Sequence, residues 1–64
     1  MMKNLIPKPG DKVRCIKMND DPRPVPSGMT GIVQAVDDIG TVHVVWDDGR
    51  LLGLVPETDL FEII

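Results

Sequence analysis

A chain of 64 residues, 42% hydrophobic and 3% aromatic, makes one small domain that buries only about 60% of its unfolded surface on folding. A single cysteine excludes an internal disulfide, and one cysteine with one histidine excludes a zinc site built from soft ligands. The net charge of −3 is uneven: residues 1–18 carry five cations against one acid, and residues 19–64 carry two cations against nine acids, a balance unsuited to tracking nucleic-acid phosphates.

Residues 1–9 read as an N-terminal arm, in which Pro7 and Pro9 rule out helix and remove ladder donors. Leu5 and Ile6 are the arm's candidates for packing across an end of the fold. Met1 to Pro7 is too short for a signal peptide, and no run approaches the roughly 20 apolar residues of a membrane span. With the lone thiol, this predicts a soluble, cytoplasmic protein. Residues 10–64 read as the folded domain. Gly10-Asp11 opens a first strand over Lys12–Met18, in which Val13 and Cys15 share one face and Ile16 and Met18 fall on the other, a change of phase that a bulge explains.

Asn19 to Gly28 is a loop with prolines at 22, 24 and 26, stiffened toward an extended path and suited either to recognition or to covering an open end. Met29–Val36 is the second strand, where Gly31 marks a bulge or a close backbone approach. A turn at Asp37-Asp38-Ile39-Gly40 leads to the third strand, Thr41–Trp46, with Val42, Val44 and Trp46 facing the core. Asp48-Gly49 predicts a tight hairpin into Arg50–Val55. There Leu52 and Leu54 share a face, and Gly53 leaves room for a neighbour. Pro56 to Asp59 fits one turn of 3₁₀ helix, and Leu60–Ile64 returns as the last strand.

Five short strands with a long first loop, two hairpins and a helical turn before the last strand predict an all-β fold, a small five-stranded SH3-like barrel. An OB-fold ranks second, because it needs more length and a longer helix.

The motifs Gly10-Asp11-Lys12-Val13 and Gly28-Met29-Thr30-Gly31 resemble those of translation-factor and KOW-type barrels. A more specific combination is Met18 to Pro22, Pro24 to Gly31, Asp37 to Gly49, Leu52 to Pro56 and the closing Phe61-Glu62-Ile63-Ile64. Over residues 9–64 it resembles the domain of unknown function numbered 4314, a family of small bacterial and mobile-element proteins. That resemblance implies an SH3-like fold and occurrence on phages or conjugative elements. It brings no activity and no catalytic residues.

Reaction chemistry needs a base, an activated nucleophile and an orienting group within reach. Cys15 is expected in the core and His43 on the face of its strand opposite Trp46, so no catalytic residue is assigned and no enzyme is expected. The pairs Asp37-Asp38 and Asp47-Asp48 flank one strand, roughly 20 Å apart at about 3.3 Å per residue. They cannot share a cation, so no metal or cofactor is expected, and each serves its turn. Too few aromatic rings are present for a proline-binding groove or a base-stacking platform.

What remains is a surplus of aliphatic side chains. Ile16, Met18, Val36, Val45, Leu51 and Ile64 fall on the face opposite the expected core, and a contiguous exposed set of that kind marks an interface. The sequence therefore predicts a non-enzymatic interaction module that self-associates or docks on a partner protein. The second expectation is an oligomer holding a small anionic ligand such as a nucleotide through Arg14, Arg23, Arg50 and a partly exposed Trp46. KOW-like nucleic-acid or ribosome binding is the third, on analogy of fold alone.

Overall fold

In a computed structural model of the chain, residues 6–18 and 23–64 are described. Strands β1 (Lys12–Lys17), β2 (Thr30–Val36), β3 (Val42–Trp46), β4 (Leu51–Leu54) and β5 (Leu60–Ile63) form one antiparallel sheet in the order β4-β3-β2-β1-β5. The all-β class, the five strands and their places are those expected from alternation and turn chemistry. The sheet is open, however: β4 and β5 are both edges, and no ladder joins them. Pro56 to Asp59 is a hydrogen-bonded turn instead of the expected 3₁₀ helix. In it the N–H groups of Thr58 and Asp59 both donate to the Val55 carbonyl, at 3.0 and 2.8 Å.

One face of the sheet carries the core. Val13 and Cys15 of β1, Val33 of β2, Val42, Val44 and Trp46 of β3 and Leu54 of β4 are all buried on it. Two members of the expected outer set belong to this core instead: Met18 is buried, and Val36 is half-buried against it. Both displacements have one cause. Ile16 is an extra residue in β1 opposite β5, and Gln34 is an extra residue in β2 opposite β3. Each β-bulge sends two successive side chains outward, Ile16 with Lys17 and Gln34 with Ala35, so the next apolar residue returns to the inside.

Both central hairpins have the same build. Gly40 N–H donates to the Asp37 carbonyl and Gly49 N–H to the Trp46 carbonyl, at 3.0 and 2.8 Å. Only the glycines take positive φ, +89° and +92°. A two-residue type I′ loop needs positive φ at both central residues, so the Asp48-Gly49 turn is a three-residue loop, a turn over Asp47-Asp48 closed by Gly49 in a G1 bulge.

The proline-rich loop is partly a cover. Val25 is buried in the core, its N–H donates to the Met18 sulfur and its carbonyl accepts from the Cys15 thiol, both at 3.5 Å. Ser27 and Gly28 then bind the Ile16 and Cys15 carbonyls at 2.5 and 2.7 Å. Residues 19–22 of that loop, and Leu5 of the arm, lie outside the described residues. Ile6 is exposed, but Pro7 is fully buried and Gly10 N–H donates to the Val33 carbonyl at 2.8 Å.

Candidate functional site

The outer face of the sheet shows where the remaining aliphatics go. The register places Lys12, Ile32, Val45 and Leu51 opposite one another across β1, β2, β3 and β4. Ile32, Val45 and Leu51 are all exposed, Leu51 at 66%. They form one apolar row, which Lys12 separates from Ile64 at the end of β5. On one side runs a polar row in which Glu62 binds Arg14 at 2.7 Å and the Thr30 hydroxyl donates to the Asp47 carboxylate. On the other lie Gln34 and His43. An apolar centre inside a polar rim is the anatomy of a protein interface. Val45 and Leu51 were expected on this face. Ile32 was not, although its place between inward Gly31 and Val33 is enough to find it. Ile16 and Ile64 are also exposed, on β1 and beside β5.

The four residues expected to hold an anion are only partly brought together. Arg50 Nε donates to Asp48 Oδ2 at 2.9 Å, and its Nη1 donates to the Arg23 carbonyl at 2.6 Å, which ties the β3–β4 hairpin to the loop. Arg14 is engaged with Glu62. Trp46 is 1% exposed and donates its indole N–H to the Leu52 carbonyl at 3.0 Å. A ring held in this way offers no face to a ligand: Trp46 lies in the core, where alternation along β3 places it, and the condition of the anion-binding alternative, a partly exposed Trp46, is not met.

Cys15 and His43 occupy separate environments. Burial, and then the charge of Asp59, push the Cys15 thiol up, away from the thiolate that a nucleophile needs. Asp59 is itself buried, and its carboxylate accepts the Val55 N–H at 2.9 Å. His43 Nε2 meets Asp37 Oδ2 at 2.9 Å, while Asp37 Oδ1 accepts the Ile39 and Thr41 N–H groups at 3.1 and 2.9 Å. No group of three or more His, Cys, Asp or Glu with the geometry to hold a metal ion occurs among the described residues.

The acidic turns make stability depend on pH. The His43 hydrogen bond first, then the Thr41 N–H, hold Asp37 below its ordinary value of 3.8, and the Arg50 N–H and guanidinium do the same for Asp48. Groups depressed in the folded state stabilise it above the unfolded value and lose that effect as pH falls through the folded one. The melting temperature is therefore expected to hold steady at neutral pH and to fall below pH 3.8, with Asp37→Asn flattening part of the fall; calorimetry across that range checks it.

An open antiparallel sheet with an apolar outer row and a mainly aliphatic core around one tryptophan defines a small all-β domain. The chain belongs to the family described as "Domain of unknown function (DUF4314)", whose model matches residues 2–64. No curated protein and no solved structure matches the chain. No helix among the described residues is long and apolar enough to cross a membrane.

Proposed function

We propose that this protein is a non-enzymatic interaction module that binds through the outer face of its sheet, to copies of itself or to a partner protein. The observation that carries the reading is the Ile32–Val45–Leu51 row. Three aliphatic side chains on consecutive strands stay in water although the same chain packs others tightly inside, and burying each would contribute on the order of 1 kcal/mol. The single reduced thiol supports a cytoplasmic setting, and the family resemblance supports a phage or mobile-element one.

Leu51→Asp tests the reading. Leu51 packs into no core, so the change is expected to alter stability by less than about 0.5 kcal/mol. It should nonetheless abolish self-association through this face, or the retention of any partner that the wild-type protein holds. Wild-type protein that remains monomeric and retains no partner overturns the reading. So does a partner protein that the Leu51→Asp variant still retains.

A further inference from the structure

Among the described residues, the outward backbone of β5 is the second unpartnered surface. Ile64 N–H donates to the Lys12 carbonyl at 2.9 Å, and the register pairs Glu62 with Arg14. Antiparallel ladders alternate between hydrogen-bonded and non-bonded pairs. With Glu62 and Ile64 turned toward β1, the N–H and C=O groups of Phe61 and Ile63 point away from the sheet. Edge strands are ordinarily blunted by lysine, proline, a bulge on the strand itself or a covering segment. Leu60–Ile63 has no lysine or proline, its one charge is paired with Arg14, and Leu60 and Ile64 are 55% and 49% exposed. The other edge, β4, is as long, but it cannot extend past Leu54, because the N–H and C=O of Val55 are taken up by the Asp59 turn.

We infer that β5 pairs antiparallel with β5 of a second copy of this chain. The order of side chains about Glu62 argues for that occupant. A twofold axis at Glu62 sets Phe61 against Ile63 of the second copy, which lets both residues of each chain exchange their outward hydrogen bonds. The same register sets Leu60 against Ile64 of the second copy. Every apolar side chain of the strand then meets an apolar one, and the pattern is self-complementary without any change of register. The two Glu62 carboxylates fall opposite each other at the axis, and each arrives already paired with its own Arg14 at 2.7 Å. The product is one continuous ten-stranded sheet in which two open edges become interior strands.

This inference rests on the interaction-module reading but assigns self-association to the edge of the sheet instead of its outer face. Sedimentation of the full chain over a range of concentrations tests it. Wild-type mass is expected to climb from 7.1 kDa toward twice that value. Ile63→Pro removes an outward N–H that the β1 ladder does not use, and Leu60→Lys places a charge on the seam. Both are expected to stay at the monomer mass with an unchanged circular dichroism spectrum. A wild-type protein that stays monomeric to about 1 mM, a concentration at which association worth about 4 kcal/mol would show, overturns the inference. So does a dimer that survives both variants. Loss of the dimer in Leu51→Asp alone overturns the β5 pairing and leaves the outer-face reading standing. Loss in the β5 variants alone supports the pairing and removes self-association from the outer face.

Discussion

Gly31→Ala is expected to cost about 3 kcal/mol, the upper part of the range for overpacking a tight interior, and to lower the melting temperature by roughly 10–20 °C in a domain of this length. A Cβ at this position would stand 2.6 Å from the Val44 Cγ1, 2.7 Å from the Val45 carbonyl oxygen and 3.0 Å from the Trp46 Cα. Two of those three atoms are backbone of the neighbouring strand, held there by the β2–β3 ladder, and cannot move without parting it. Against this stands the entropy that alanine removes from the unfolded chain, worth about 0.4–1 kcal/mol. The clash wins. Gly53→Ala is the control, since its Cβ would meet the Thr41 methyl at 2.7 Å and otherwise only the Val42 oxygen at 3.7 Å. Thr41 sits half-exposed before β3 and can turn its side chain aside. Thermal melts of the two variants check the argument, which fails if Gly53→Ala is as damaging as Gly31→Ala.

Gly31 also shows what the sequence conveys and where it stops. A glycine inside an otherwise β-branched run signals close approach, and close approach is what the β2–β3 pair shows. The strands themselves are legible because each is short, alternates and ends in turn residues. Bulges are not legible in the same way, since an inserted residue carries no side-chain signature of its own. In β1 the phase change from Val13 and Cys15 to Ile16 and Met18 pointed to one, yet simple alternation still placed Met18 outside. Along β2, Gln34 and the small Ala35 conceal the shift, so Val36 was assigned to the wrong face. The Asp48-Gly49 pair located its hairpin but not the loop length, because a glycine with positive φ closes a two-residue and a three-residue loop alike. Val25, an apolar residue among prolines, passed as loop although it lies in the core. Ile16, Val45, Leu51 and Ile64 stay exposed as expected, with the addition of Ile32, because alternation misplaces only the first apolar residue after each bulge.

Trp46 carries the other large expected effect, and the result separates a core ring from a ligand platform. The indole is buried in the core cluster, and its N–H is bound to the Leu52 carbonyl. Trp46→Ala leaves a cavity the size of the ring and is expected to cost about 3–5 kcal/mol. A domain of this length holds only about 3–10 kcal/mol in total, so the variant should be largely unfolded by circular dichroism at 25 °C. Trp46→Phe keeps much of the apolar volume and loses one hydrogen bond, worth about 1 kcal/mol, so it should fold and melt at a moderately lower temperature. In the wild-type protein the same burial predicts blue-shifted emission that acrylamide quenches poorly and that added nucleotide leaves unchanged. A Trp46→Ala variant with wild-type stability, or emission quenched as freely as that of indole in water, would place the ring at the surface and restore it as a partner for Arg23 and Arg50. With the ring buried, the outward-facing apolar chemistry of this fold rests on aliphatic side chains, whose undirected contacts suit a protein surface better than a small charged ligand.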